Sequence, residues 1–117
     1  GCVYELPSYS PIKAGSDEMD KWDPNWKNSG WASRDNYWAG AKKACDELGM
    51  SLPDKSKLES LAKKTTAEKE QLGLPITGDF WSSSETTAST AHDVVFEDGR
   101  TSLDLKLNSL KVLCVGD

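Results

Sequence analysis

Residues 35–53, DNYWAGAKKACDELGMSLP, contain the clearest structural signal in the chain. Apolar residues recur at positions 38, 41, 45 and 48, a spacing that places them on one face of a helix. Either Asp35 or Asn36 can cap the first free amides, and Gly49 ends the pattern. The stretch therefore predicts an amphipathic helix that carries Cys45 on its buried face.

A second helix is predicted directly after this stretch. It starts at an Asp54 cap, ends near Thr65 and has Leu58, Leu61 and Ala62 as its apolar stripe. The polar residues that follow, rich in Lys and Glu, lead to a break from helix in the sequence LGLP at residues 72–75. We predict no further helix after that break.

Every later segment is short and strand-like. The predicted strands cover residues 79–83, 92–96, 100–107 and 111–115. Residues 97–100 lie between two of them, and their Asp98-Gly99 pair is a strong hairpin-turn signal. The predicted fold class is therefore α+β, with two helices followed by a small antiparallel sheet.

Length and composition indicate one domain. The chain has 117 residues, 14 basic and 19 acidic, for a net charge of −5, which argues against a nucleic-acid interface. No apolar run approaches the ~20 residues that cross a bilayer. Residues 1–30 are turn-rich and form an irregular lead-in to the same domain, with one short strand at residues 3–6, and residues 31–117 form the domain proper.

Five tryptophans, three tyrosines and two phenylalanines argue for a packed core. The aromatic cluster in the first third of the chain resembles a carbohydrate-stacking strip, but most of its members are predicted to be core, because few other bulky residues are present. The residues of that cluster are Trp22, Trp26, Trp31, Tyr37 and Trp38. Trp81 is predicted to be core as well.

The three cysteines are far apart in sequence. A bridge between Cys45 and Cys114 closes a loop of roughly 70 residues and contributes about 4 kcal/mol in the chain-entropy model. Two buried reduced thiols are the alternative. Cys2 can attach a lipid, pair with a segment lost upstream or remain free, and the chain is expected to begin downstream of any export signal. Cysteine use suggests an exported protein.

No catalytic constellation is found in the sequence. His92 is the only imidazole, and on a strand the adjacent Asp93 points to the opposite face, so no Ser-His-Asp geometry follows. An acidic run is either a solvated loop or a Ca²⁺ site without the usual loop motif, and the solvated loop is the prediction. That run contains Asp17, Glu18, Asp20, Asp23 and Asn25. We predict no enzyme activity, metal or cofactor.

Five motifs follow one another in a characteristic order. They are Trp38-x-x-Ala41-x-x-Ala44-Cys45, the residues 48–53 with Leu58-x-x-Leu61, Phe80-Trp81-Ser82-Ser83-Ser84-Glu85, Ala91-x-x-Val94-x-Phe96-x-Asp98-Gly99 and Val112-x-Cys114-Val115. Together they resemble the bacterial C-type lectin-like module of the Legionella collagen-like protein C-terminal type, related to the formylglycine-generating-enzyme branch. The resemblance covers roughly residues 31–117.

This resemblance implies a C-type lectin-like fold with long irregular loops. It also implies that Cys45 and Cys114 join helix to sheet, and that the segment from Trp81 to Ser83 is structural. The calcium-binding motifs of sugar-binding animal lectins and the active-site cysteine pair of the sulfatase-activating enzymes are absent. Neither calcium-dependent sugar binding nor that oxidation chemistry carries over.

Modules of this kind occur in exported bacterial adhesins, in pilin-like subunits and as variable proteins of diversity-generating retroelements. The resemblance therefore implies a non-catalytic ligand-binding domain of a bacterial surface protein. Its partner would be a protein or glycan on another cell, a phage or a host. Membrane attachment would come only from a removed N-terminal anchor or a lipid. The alternative is the structural head of a pilin-like subunit.

The expected ligand face lies within residues 86–108. Residues 86–90 are small and free of an obvious packing demand, and three leucines alternate with polar residues farther on. Either those leucines form the buried face of an ordinary amphipathic strand, or Leu103 and Leu105 form an exposed patch at the outer end of the sheet, beside His92 and Asp93. The candidate ligand-binding residues are Thr86, Thr87, Ala88, Ser89, His92, Asp93, Thr101, Leu103, Asp104, Leu105, Leu107 and Asn108.

Overall fold

The computed structural model describes residues 3–6, 10–29 and 32–116, so the predictions for Cys2 and Trp31 lie outside the described residues. The elements are β1 (Val3–Leu6), α1 (Met19–Trp22), a 3₁₀ helix (Trp26–Ser29), α2 (Tyr37–Glu47), α3 (Lys55–Ala62), α4 (Thr66–Leu72), β2 (Asp79–Glu85), β3 (Thr90–Val95), β4 (Thr101–Leu105) and β5 (Val112–Val115). The α+β class is confirmed. The prediction of two helices is wrong, because the described part of the chain contains four α-helices.

Helix α2 forms as its sequence predicts. The Asn36 side chain caps it by accepting a 2.8 Å hydrogen bond from the backbone N–H of Ala39. Cys45 and Trp38 are buried on one side. Leu48, predicted to continue the apolar stripe, is instead 47% exposed, because the helix ends at Glu47.

Helix α3 is capped by Asp54 and ends at Ala62, three residues before the predicted end. Helix α4 was missed because it has no apolar stripe. It is defined by its ends instead: Thr65 and Glu68 form a reciprocal capping box, and Gly73 adopts a left-handed φ of 73°.

The strands are all antiparallel to their ladder partners. β1 pairs with β5, and the second sheet has the order β2-β3-β4. The Trp81 N–H donates to the Lys111 carbonyl at 3.0 Å, and the Lys111 N–H donates to Asp79, which links β2 to the start of β5. The predicted hairpin between β3 and β4 is confirmed, with Gly99 at a φ of 77°.

Helices α2 and α3 pack on opposite sides of the strands. On the α2 side, Trp38 and Cys45 lie against Trp81 and Cys114. On the α3 side, buried residues from the same strands pack against the helix, namely Phe80, Val94, Phe96 and Leu113. Successive strand residues therefore enter two cores, as the period of two requires.

The Cys45–Cys114 disulfide is present, with a Cα–Cα distance of 5.3 Å. It ties α2 to β5 inside the α2-side core and decides between the two states that the sequence left open.

The lead-in packs against α2. Ile12, Met19 and Trp26 are buried in a third apolar cluster with Ala39, and Trp22 lies half-buried beside them. Of the described helices, none has the length and apolar character needed to cross a membrane.

Candidate functional site

The β3–β4 ladder separates the predicted ligand residues onto two faces. His92 lies opposite Leu103, whereas Asp93 lies opposite Ser102. Because directly opposed residues project to the same side, we define the leucine face as Thr90, His92, Leu103 and Leu105. The opposite face carries Ala91, Asp93, Ser102 and Asp104. The predicted set is therefore not one surface.

The leucine face is open. Leu103 is 56% exposed and Leu105 is 44% exposed. Helix α3 covers only the far end of the same face, where Val94 packs against Leu58. Of the two interpretations left open by the sequence, an exposed apolar patch is correct for Leu103 and Leu105.

Two members of the predicted set do not lie on the leucine face, namely Leu107, which is half-buried, and Asp93, which is buried. Leu107 follows the end of β4 in a turn and packs against the Met19 and Trp26 cluster, so it does not share the face of the other two leucines. Asp93 is fully buried, because β3 directs it toward the α2 side. Neither side chain is available to a ligand at the leucine face.

Strand β4 is also an edge. Bonds from the Lys106 N–H to Ser89 (2.8 Å) and from the Val95 N–H to Arg100 (2.9 Å) fix which backbone groups face β3. By the antiparallel pattern, those of Thr101 and Leu103 point away from β3. Within the described residues no other strand pairs with them.

Hydrogen bonds fix the loop between β2 and β3, although its small residues show no obvious packing demand in the sequence. The backbone N–H groups of Thr86 and Thr87 both donate to the Thr90 carbonyl, at 3.1 and 3.2 Å. The two threonine side chains are exposed at its tip. The carbonyl groups of Ala88 and Ser89 accept hydrogen bonds from Lys106, which fixes the backbone of the loop. The Thr87 hydroxyl also accepts hydrogen bonds from the backbone N–H groups of Ser89 and Thr90, at 3.2 and 3.1 Å.

Asp93 belongs to a buried polar group on the inner face. The Ser102 hydroxyl lies 2.8 Å from both Asp93 carboxylate oxygens. Burial raises the pKa of Asp93 to about 7, and the neighbouring carboxyl of Asp104 adds to the shift. The Asp104 side chain in turn accepts a 3.3 Å hydrogen bond from Asn108. These groups hold β3 to β4 from inside.

A second buried polar group, which we call the Lys106 cluster, consists of Asp23, Asn36, Trp38, Glu85 and Lys106. The Lys106 Nζ lies 2.8 Å from Asp23 Oδ2, also binds Glu85, and stands 4.2 Å from the centroid of the Trp38 ring. Asn36 Nδ2 donates to Asp23 Oδ2 at 2.8 Å. The cluster joins the lead-in, α2, β2 and β4.

Sequence reasoning missed this cluster and misplaced Asp23. The acidic run was predicted to be a solvated loop, but Asp23 is wholly buried because it pairs with Lys106. The available signal was the alternation after Thr101: if the leucines point outward, Lys106 points inward. Among the described residues, no group of three or more His, Cys, Asp or Glu side chains is placed to hold a metal ion.

The chain matches a family described as Domain of unknown function (DUF8780) over residues 28–116, and it belongs to that family. The match includes α2, all of β2 to β5 and the leucine face, and it begins after Asp23. No curated protein matches the chain.

Proposed function

We propose that this DUF8780 domain is a non-catalytic, adhesin-type binding domain of an exported bacterial surface protein. Its ligand contacts the leucine face and the exposed tip of the loop at Thr86 and Thr87. The observation that carries the proposal is the pair of exposed leucines, Leu103 and Leu105, side by side on an edge strand. Exposed apolar edges promote aggregation, and natural proteins usually cover or charge them unless a partner does so.

The chemistry of the edge favours a protein ligand over a glycan. The outward backbone groups of Thr101 and Leu103 match those of an extended peptide, which adds to a sheet as another strand. Sugar stacking needs an exposed aromatic ring, and the leucine face carries no Trp, Tyr or Phe side chain. The ligand we propose is therefore an extended segment of a partner protein.

The finer fold assignment, a C-type lectin-like domain, is part of the same proposal. It is supported by the pairing of the first strand with the last, by the separate β2-β3-β4 sheet and by a disulfide from the first long helix to the last strand. The disulfide is also consistent with export to an oxidising compartment.

A displayed library of linear peptides tests the proposal. Peptides selected on the native domain are expected to lose binding to a Leu103→Ser/Leu105→Ser variant. A Leu48→Ser/Leu72→Ser variant is the matched control, because it removes two leucines that are 47% and 54% exposed elsewhere. Peptides that bind both variants equally, or only the leucine-face variant, would show that the ligand surface lies elsewhere.

Diversification of this face by a retroelement is a further part of the proposal. Alleles from one population are expected to differ at exposed positions such as Thr86, Thr87, Leu103 and Leu105. They should be invariant at Asp93 and Lys106, which are buried and hydrogen-bonded. Variation spread evenly over exposed and buried positions would contradict diversification without touching the binding proposal.

The alternative, a structural head of a pilin-like subunit, is favoured by a different surface. An apolar groove of about 400 Å³ lies between α3, the end of α4 and the β1–β5 pair, and Leu61, Leu72 and Val115 are among its lining residues. A subunit role predicts self-association that Leu72→Ser abolishes and Leu103→Ser leaves intact. Sedimentation of both variants separates the two functions.

A further inference from the structure

The end of the Lys106 side chain is enclosed by parts of the chain that are remote in sequence. Its Nζ lies 2.8 Å from Asp23 Oδ2 across a separation of 83 residues, and it also binds Glu85 and the Ala88 carbonyl. The side chains of Lys106 and Asp23 are fully buried, whereas that of Glu85 is 28% exposed. An amine and a carboxyl group are therefore held together in a site where, of these three side chains, only that of Glu85 reaches solvent.

The Asp23 carboxyl is prepared to act as an electrophile. Asn36 Nδ2 donates to its Oδ2 at 2.8 Å, and the Asn25 backbone N–H donates to its Oδ1 at 3.3 Å. Fixed donors of this kind stabilise the negative charge that develops on a carboxyl oxygen when a nucleophile adds to the carbon. The Asn36 side chain is itself held in place, because its Oδ1 caps α2.

Glu85 is positioned to move the proton. Burial opposes its charged form, but the hydrogen bond and the charge of Lys106 outweigh that effect and keep the pKa of Glu85 below its ordinary value. Glu85 is therefore a carboxylate in direct contact with the Lys106 ammonium group, and this contact, rather than a high basicity, is what allows it to carry a proton. Its hydrogen-bonding neighbours also include the Asp23 carboxyl and Asn25 Nδ2, the latter at 3.2 Å.

We propose that Lys106 and Asp23 form an intramolecular isopeptide bond, with Glu85 as the proton carrier. The Lys106 ammonium gives one proton to Glu85, and the neutral Nζ attacks Cγ of Asp23. Glu85 passes that proton to the departing Asp23 oxygen, which then takes a second proton from the attacking nitrogen. One C–N bond forms, one C–O bond breaks and one water molecule leaves, so no oxidant or further reactant is needed.

The close approach of the amine and the carboxyl group favours formation of the bond. Two groups fixed in contact react as though present at a very high effective concentration, and the buried site excludes the bulk water that would favour hydrolysis. The product water leaves past Glu85, where the site is partly exposed. The bond would fasten the lead-in to β4 in addition to the bridge from α2 to β5. This proposal does not depend on the ligand assigned to the leucine face.

Intact mass and peptide mapping of the native, disulfide-bonded chain test the proposal after ageing at neutral pH. The expected mass is lower than that of the disulfide-bonded sequence by one water molecule. Trypsin is expected not to cleave after Lys106, and a branched peptide should join the segment containing Asp23 to the one containing Lys106. A chain of full mass with a free Lys106 would show an ion pair only and overturn the proposal.

Two other reactions that lower the mass of the chain can be distinguished in the same samples. A succinimide at Asp98-Gly99 also loses water, but hydroxylamine opens it and leaves an isopeptide bond intact. Loss of ammonia in place of water would make Asn36 the partner and would contradict the assignment of Asp23.

Variants test the role of Glu85. Glu85→Gln should retain the full mass, whereas Glu97→Gln, an exposed glutamate at the hairpin, should lose water as the native chain does. Cross-linking undiminished in Glu85→Gln would refute the role of Glu85 as proton carrier. If Glu85→Gln does not fold, Lys106→Arg serves as the non-reacting reference, and the peptide map of the native chain still decides the proposal.

Discussion

Asp93 and Ser102 lie opposite each other in the β3–β4 ladder, and the serine hydroxyl is 2.8 Å from both oxygens of the buried carboxyl. The Asp93 face of the hairpin points inward and is occupied by these polar contacts, so the leucine face is the one left open to a ligand. The buried Asp93 carboxyl also makes the stability of the fold depend on pH.

We expect the free energy of unfolding to fall as the pH rises between the two pKa values of Asp93, that of the unfolded chain and that of the folded state. In this range only the folded state holds a proton on the Asp93 carboxyl. The ordinary pKa is 3.8 and the folded value is about 7, so the folded state binds more protons between these values. Asp93→Asn should remove this loss, which we expect to be about 2 kcal/mol between about pH 5 and about pH 8.

Denaturant unfolding of the native chain and Asp93→Asn at several pH values measures the difference. Asp98→Asn, at the exposed hairpin, is the control. The carboxyl groups of Asp104 and Asp79, which lie near Asp93, are unchanged in both variants. Parallel stability curves for the native chain and Asp93→Asn would contradict the prediction.

Loss of the Cys45–Cys114 disulfide should be strongly destabilising. The bridged residues are 69 apart, and the chain-entropy model gives about 4 kcal/mol for such a loop. Unfolding of the Cys45→Ala/Cys114→Ala variant measures this cost, with the reduced native chain for comparison. Alkylation without reduction should modify Cys2 alone, and a chain with no alkylatable thiol would contradict that part.

The two core tryptophans should respond differently to replacement by phenylalanine. Trp38 Nε1 donates a 2.8 Å hydrogen bond to the Ser82 carbonyl, whereas Trp81 Nε1 is buried with no partner among the described residues. Trp38→Phe removes this hydrogen bond from the buried Ser82 carbonyl, and we expect it to cost about 1–2 kcal/mol more than Trp81→Phe.

Replacement of Trp81 by alanine provides the reference for these two variants. Trp81→Ala should cost about 3–5 kcal/mol, because the ring is fully buried. Denaturant unfolding of the variants gives the comparison. A cost for Trp81→Phe equal to that for Trp38→Phe would mean that the hydrogen bond contributes no net stability.

The exposed leucines should tolerate polar replacement. Leu103→Ser and Leu105→Ser are each expected to change the free energy of unfolding by less than about 1 kcal/mol, whereas Leu58→Ser, in the core, should lose several times more. Melting temperatures at fixed pH and salt are the measurement. A fall of more than about 10 °C in either exposed variant would place that leucine in the core.

Proline distinguishes the two sides of β4. The Leu103 N–H faces away from β3, so Leu103→Pro should fold while blocking the addition of a peptide strand. The Ser102 N–H faces β3, so Ser102→Pro should lose a ladder bond and unfold more readily. Circular dichroism and peptide binding together test this, and equal stability of the two variants would refute the deduced bond pattern.

The sequence by itself determined the elements whose signals are local. Side-chain periodicity and an N-cap predicted α2 and α3, and the Asp98-Gly99 turn predicted the β3–β4 hairpin. Helix α4 is not predicted from the sequence, because its signals are a capping box and a terminal glycine rather than an apolar stripe. Alternation showed that Leu103 and Leu105 share a face, since the period of a strand is a property of the chain alone.

Only the tertiary structure decided which face points outward. That choice depends on where helix α3 ends, which leaves the leucine face open, and on Asp23, which comes from the lead-in to neutralise a buried Lys106. The ammonium group of Lys106 is buried against the carboxyl groups of Asp23 and Glu85, and Asp23 is 83 residues away in the sequence. Local pattern carries no information about such a meeting, because contacts between distant segments are set by how the whole chain packs.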